Sequence, residues 1–244
     1  MKTKPFLPLS FSSVKEFAKS PNHFLAYKNK TREATAAMTR GSALHTFVLE
    51  PEEFEKRYLV APDIRRGTNA WKEVESAAGT REILKDSEFE IIERMAAALW
   101  AHPAAAELFA QTTAVEQGLE FEFNGIAFRG FADMVAPTFV ADLKSTQDVS
   151  ASAFNRWIFG NKYHLQAALY CAALKLEKFY FIGVEANSPY NVGVFEMDKT
   201  SIEFGIFELI ELTTKFKKWD GMPATYTNDI IVLTPPKWLT SNND

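Results

Sequence analysis

The sequence predicts an α/β fold: an antiparallel strand meander in the middle of the chain, with helical segments on both sides of it. Leu119, Phe121 and Phe123 alternate with Glu120 and Glu122 as in a half-buried strand, and Asn124 with Gly125 supplies a two-residue hairpin turn. From that turn 126–133 runs back, Pro137 marks another turn, and 139–144 supplies a third strand. Of the 244 residues 47% are hydrophobic, which is enough apolar surface for a sizeable core. No Gly/Ser-rich or Pro-rich linker interrupts the chain, so one domain is expected over 1–244. It divides into a helical part to about 112, a sheet core over about 113–200, and a C-terminal helix and tail over about 201–244.

Taken in order, Ser13 and Glu16 have capping-box spacing ahead of the apolar pair Val14 and Phe17, and Ser20 with Pro21 ends or restarts that helix. The pattern over 36–49 is again helical. Ala37 and Gly41 leave a narrow spot in it where a neighbour can approach, His45 lies inside it, and Pro51 follows its end. Ser87 and Glu90 repeat the capping-box spacing before a stripe of Phe89, Ile92, Ala96 and Leu99, and Pro103 starts another short helical piece. Beyond the meander, Ser150 can cap a helix through Phe154 and Trp157. An alanine-rich helix over 163–176 follows, in which Gln166 and Tyr170 share a face at i, i+4. The runs 179–183 and 192–197 read as two further strands, and 201–219 as a long amphipathic helix.

Composition excludes several function classes. The net charge of −4 argues against a protein that coats nucleic acid through bulk positive charge, so any DNA contact must be local. Basic stretches that could make one are Lys28, Lys30, Arg32 and Arg40; Arg65 and Arg66; and Lys215, Lys217 and Lys218. Arg65 and Arg66 lie in a polar, poorly periodic segment with Gly67, Thr68 and Asn69 that could close over a substrate. Cys171 is the only cysteine, which excludes an intramolecular disulfide framework and a four-cysteine metal site, and fits a reducing cytoplasm. The N-terminal segment with Lys2, Lys4 and Pro5 lacks the apolar stretch of a signal peptide, and no apolar run approaches a membrane span. A Gly-rich phosphate loop, a Gly-x-Ser-x-Gly elbow and a paired-histidine zinc motif are all absent.

The residues that carry chemistry lie on the third strand. Asp142 and Lys144 project to the same side of it, roughly 7 Å apart along the backbone, because side chains alternate faces. Asp133, nine residues earlier and reached around the Pro137 turn, can face Asp142. Two carboxylates and an amine so placed can hold a hard divalent cation and orient a water, which suffices to hydrolyse a phosphodiester. The residues alone also allow an edge strand carrying a solvent-facing ion pair. By the same standard His45 reads as a half-buried core histidine, Gln166 as helix surface and Tyr170 as core, and Glu116, Glu120 and Glu122 as the wet face of a hairpin.

The set as a whole resembles a known family. The segments that carry the likeness are Phe11, Ser12, Ser13 with Ser20, Pro21, His23, Phe24; Gly41 to His45 with Leu49, Glu50, Pro51; Glu116; Gly130 to Asp133; Asp142 to Thr146; and Tyr163 to Gln166 with Tyr170. Together they are similar in order and spacing to the exodeoxyribonuclease VIII-like nucleases, a phage and prophage branch of the PD-(D/E)XK superfamily, over most of residues 8–172. The resemblance implies a restriction-endonuclease-like core, a central mixed sheet flanked by helices. It also implies a Mg²⁺-dependent exonuclease, with Mn²⁺ as a substitute, that degrades one strand of linear double-stranded DNA from the 5′ end.

By that resemblance Asp133 and Asp142 ligate metal with the Leu143 carbonyl, and His45 and Glu116 complete a second-metal side, where Glu120 or Glu122 could replace Glu116. Lys144 orients or activates the attacking water, Gln166 and Tyr170 line the site, and Ser145 and Thr146 join Arg65 and Arg66 as DNA contacts. A homo-oligomeric ring, a single-strand annealing protein as partner, and a phage or prophage product working in the bacterial cytoplasm are further implications. Two other functions fit the same residues: a structure-specific or site-specific endonuclease of the superfamily, and a non-catalytic DNA-binding or assembly module.

Overall fold

The structure is a computed structural model and describes residues 6–29, 35–224, 230 and 232–234. Lys2, Lys4, Pro5, Lys30 and Arg32, singled out above, lie outside the described residues.

The first helix, α1 (Phe11–Lys19), starts earlier than the sequence spacing predicts. Ser10 is its cap: Ser13 N donates to Ser10 Oγ at 3.3 Å and Ser10 N donates to Ser13 Oγ at 2.8 Å, so the reciprocal box joins Ser10 to Ser13 and not Ser13 to Glu16. The earlier start lets Phe11 join Val14 and Phe17 on the buried face. Ser20 then separates α1 from α2 (Pro21–Asn29). Thr35 caps α3 (Ala36–Leu49), and Pro51 opens α4 (Pro51–Arg57) at a position where its missing N–H costs nothing.

A small parallel pair, β1 (Tyr58–Ala61) and β2 (Glu82–Lys85), encloses α5 (Asn69–Ala78), whose cap is Thr68. The sequence reading passes over α4, β1, α5 and β2, since strands of four residues are too short for alternation to register. Two helices follow, α6 (Asp86–Ala101) and α7 (Pro103–Gln111). The cap of α6 is also corrected. Lys85 N donates to the Glu88 carboxylate at 3.0 Å, while the Ser87 hydroxyl donates to Asp63 at 2.6 Å and takes no part in a box with Glu90.

The main sheet begins with the hairpin of β3 (Ala114–Phe123) and β4 (Ile126–Val135), whose turn residues Asn124 and Gly125 have φ of 48° and 69°, the left-handed conformation that a tight hairpin turn requires. It continues with β5 (Phe139–Thr146), then α8 (Ala151–Gly160) and α9 (Tyr163–Leu174), β6 (Lys178–Glu185), β7 (Val192–Met197) and α10 (Lys199–Lys218). Ser150 stands at the α8 cap position without using its side chain, and α9 stops at Leu174 because Lys175 turns left-handed. Strand order is β3-β4-β5-β6-β7, with β5 and β6 parallel across the α8–α9 crossover and the other neighbours antiparallel. The sheet is therefore mixed. Among the described residues no helix is long and apolar enough to cross a membrane.

Two apolar cores cover the faces of this sheet. One holds Val140, Phe179 and Phe181 against Leu165, Leu169, Leu209 and Phe216. The other holds Ala141, Leu143 and Ile182 against Leu44, Ile92 and Leu99. Strand β5 is therefore buried on both sides, which explains its near-continuous apolar sequence. Strand β4 changes neighbours along its length. It pairs with β5 through Met134 and Val135, whereas at its far end Leu9 N donates to Ala127 O at 2.9 Å and Arg129 N donates to Leu9 O at 2.8 Å. The stretch of β4 between these two pairings carries the candidate site.

Candidate active site

Asp142 and Lys144 share one side of β5, as alternation requires, and their side chains form an ion pair. Asp142 is 2% exposed. Its Oδ1 accepts a hydrogen bond from Gln166 Nε2 at 2.5 Å, and Gln166 Oε1 accepts one from Lys144 Nζ at 3.3 Å, so one amide from α9 holds both charged groups. The Lys144 ammonium also lies 4.6 Å from the centroid of the Tyr163 ring, a cation–π contact. Gln166 and Tyr170 are both buried, which corrects the reading of Gln166 as helix surface.

Tyr170 explains Gly130. A Cβ placed on Gly130 would lie 2.8 Å from the Tyr170 hydroxyl, so β4 and α9 approach this closely only with glycine there. Gly41 of α3 faces Ser145 on β5 without such a constraint, since an added Cβ would stand 3.6 Å from Ser145 Oγ, an ordinary contact distance.

Asp133 and Glu116 sit at a reversal in the hairpin. Glu116 has a φ of 45°, uncommon for a residue with a side chain. Before it Val115 is exposed and after it Gln117 and Leu119 turn inward, so the buried set passes from even to odd positions at this residue. The opposite strand switches with it, Ala132 joining one core and Met134 the other. Glu116 therefore does not share its surroundings with Glu120 and Glu122, which are exposed, and it is Glu116 that the fold brings to Asp133.

Asp133 Oδ2 accepts the Leu143 amide at 2.9 Å, a hydrogen bond that takes the place of a ladder bond where β4 leaves β5. Helix α3 adds His45, with Nδ1 3.3 Å from Asp133 Oδ2 and 3.8 Å from Glu116 Oε1. One ligand atom from each of His45, Glu116 and Asp133 lies within 4.8 Å of the others.

The charges do not balance, and the titrating groups respond to it. Burial first, and then Asp133, push the Asp142 carboxyl up to about 6 against the opposing effect of Lys144. Burial alone would lower Lys144, but Asp142 and Asp133 outweigh it and hold the amine above its usual value. Burial would likewise lower His45, and Asp133, Glu116 and Asp142 together raise it. Protons thus gather where acidic groups converge. Asp142 Oδ2 is buried, and the partner beside it is the Lys144 ammonium. A buried carboxylate next to an oxygen and imidazole cluster fits a hard divalent cation, which would take over the compensation those protons supply.

The remaining residues from the sequence reading lie elsewhere. Leu143 is fully buried and contributes its amide to Asp133. Ser145 is half-buried and Thr146 buried. Arg65 and Arg66 are exposed in the stretch between β1 and α5, with the Arg66 guanidinium 5.5 Å over the Trp71 ring. Lys217 donates to the Asn124 carbonyl at 2.8 Å and so fastens the hairpin turn. The role of Tyr163 as the surface beneath Lys144 was missed. Its signal was present, since Tyr163 and Gln166 are spaced i, i+3 and share a helix face.

The family model described as a PDDEXK-like domain of unknown function (DUF3799) matches residues 10–221, most of the chain. The chain belongs to this family. A solved structure of a putative exonuclease from Eubacterium rectale superposes with a TM-score of 0.63 at 12% identity, over 100% of this chain and 99% of that one, which places both in one fold. A phage-related exonuclease from Haemophilus somnus aligns at a TM-score of 0.42 and 12% identity, covering 84% of this chain and 79% of that one. The exonuclease LHK-Exo in complex with dAMP aligns at 0.37 and 15% identity over 86% and 90%. No curated protein matches the chain.

Proposed function

We propose that this PDDEXK-like protein is a Mg²⁺-dependent exonuclease acting on linear double-stranded DNA. The observation that carries the reading is the convergence of Asp133, Asp142 and Lys144 beside the ligand cluster of His45, Glu116 and Asp133. A role in binding alone would gain nothing from clustered carboxylates, which repel phosphate.

In this reading Asp133, Asp142 and the Leu143 carbonyl hold the cation, with Mn²⁺ able to substitute, and His45 and Glu116 form a second-metal side. When bound, the metal supplies a Lewis acid to the phosphate and lowers the pKa of a water. Lys144, fixed between Asp142 and Gln166, orients the attacking water and offsets charge developing on the phosphate. Gln166 positions Asp142 and Lys144 relative to each other, and Tyr170 closes the wall behind them. The finer proposal is a single nuclease domain working 5′ to 3′ and leaving 3′ overhangs for phage-type recombination in the cytoplasm. It would act as a homo-oligomeric ring alongside a single-strand annealing protein.

The test is incubation with Mg²⁺ and linear duplex labelled at either the 5′ or the 3′ end, with closed circular duplex alongside. Release of the 5′ label first, with circles untouched, supports the proposal. Cutting of circles would establish an endonuclease instead, and intact substrates throughout would leave a binding module.

A further inference from the structure

Beside the metal-binding residues the outer half of β4 carries an exposed aromatic and a cation in sequence, and neither is used in the chemistry above. Gly130 and Ala132 face α9 and the core around it. Alternation therefore turns Arg129 and Phe131 to the other face, the one from which α3 brings His45 to Asp133. Phe131 is 64% exposed, so its ring is open to a stacking partner. Its register partner on β3 is Gly118, where an added Cβ would lie 3.6 Å from the ring, so the ring leans over a position that offers no competing side chain. Two residues further from the site is Arg129, exposed.

We infer that Phe131 stacks on the base of the nucleotide next to the scissile phosphate, and that Arg129 holds a phosphate of the same strand. The inference rests on the nuclease reading for its substrate. Outward along β4 from the reversal at Asp133 come Phe131 and then Arg129, which share one face with a step of roughly 7 Å between them. A DNA strand passing from the seam at Asp133 onto that face leaves the site for the cleaved phosphate and meets a surface for a base and then a charge for a further phosphate. Glu120, opposite Arg129 in register, limits the track on the β3 side, because a phosphate is repelled there. Stacking on an aromatic face accepts every base, as an enzyme that removes successive nucleotides requires.

The test uses the full chain in EDTA, where hydrolysis is suppressed, and short duplexes with 2-aminopurine at the terminal position of the 5′ or the 3′ end. Wild type should quench one of the two. Phe131→Ala should leave it unquenched and bind about tenfold more weakly, the usual loss on removing one stacked base contact. Phe131→Trp should restore both. Arg129→Gln should weaken binding and flatten its salt dependence while preserving the quench. Equal quenching and affinity in wild type and Phe131→Ala would overturn the inference even if Mg²⁺ then starts hydrolysis normally. A quench that depends on Phe131, with no hydrolysis when Mg²⁺ is added, would refute the nuclease reading and leave the nucleotide seat standing. Absence of any DNA binding would refute the seat itself.

Discussion

The side-chain amide of Gln166 donates to Oδ1 of Asp142 at 2.5 Å, and through this bond helix α9 sets the direction in which a carboxylate of the central strand points. Without it Asp142 Oδ1 would be buried and unpaired, and the carboxylate would be held only by its ion pair with Lys144 through Oδ2.

Gln166→Ala should therefore weaken Mg²⁺ binding by about 10–100-fold, the usual loss when a residue that orients a metal ligand is removed. Isothermal calorimetry on wild type and variant measures this, with circular dichroism to establish that both are folded. Unchanged affinity would mean that Asp142 is oriented by β5 alone.

Lys144→Ala should reduce hydrolysis of linear duplex at least about a hundredfold, because it removes a preorganised positive charge beside the reacting phosphate. Folding and most DNA affinity should remain, measured by single-turnover digestion and a binding assay in EDTA. Asp142→Asn should act at the metal, and a calorimetric Mg²⁺ affinity equal to that of wild type would exclude Asp142 as a ligand.

Gly130→Ala tests packing. The new methyl group would meet the Tyr170 ring at distances that neither rigid partner can accept, so urea denaturation should show a loss of about 1–3 kcal/mol. The double variant Gly130→Ala, Tyr170→Phe should recover part of that loss, since the closest contact is to the hydroxyl.

Acid stability should depend on Glu208. Its carboxylate accepts from Lys162 Nζ at 2.6 Å and lies 2.9 Å from Nε2 of the buried His164. Burial would raise its pKa, but the hydrogen bonds with Lys162 and His164 outweigh that effect and hold it below the ordinary 4.5. A group depressed in the folded state stabilises fully above its unfolded pKa, and that contribution disappears as pH falls through the folded value. Glu208→Gln should thus cost about 1.5 kcal/mol at neutral pH. The two proteins should converge in stability below pH 4.5, as followed by denaturation at a series of pH values.

Much of this arrangement was legible in the sequence because its signals are local. The hairpin at Asn124 and Gly125, the Asp142 and Lys144 spacing, and the Gln166 and Tyr170 helix face each depend on residues within one element, and each stands where the sequence reading put it. What failed to show depends on distant parts of the chain. The choice of Glu116 over Glu120 and Glu122 follows from a positive φ that no residue type at 116 announces. The burial of Gln166 follows from its partners on β5, 22 and 24 residues away. The caps of α1 and α6 were displaced because Ser and Glu recur at several positions with compatible spacing, and tertiary packing selected among them.

The reversal at Glu116 and Asp133 places the acidic pair on the seam between two separately packed halves of the molecule. His45 is carried by the half built on α3 and α6, Gln166 and Tyr170 by the half built on α9 and α10, and the sheet carboxylates lie between them. For the proposed metal site, cation affinity is then expected to gauge how the two halves sit together: a substitution that loosens either core would shift one set of ligands against the other, and chelation should weaken well before the chain unfolds.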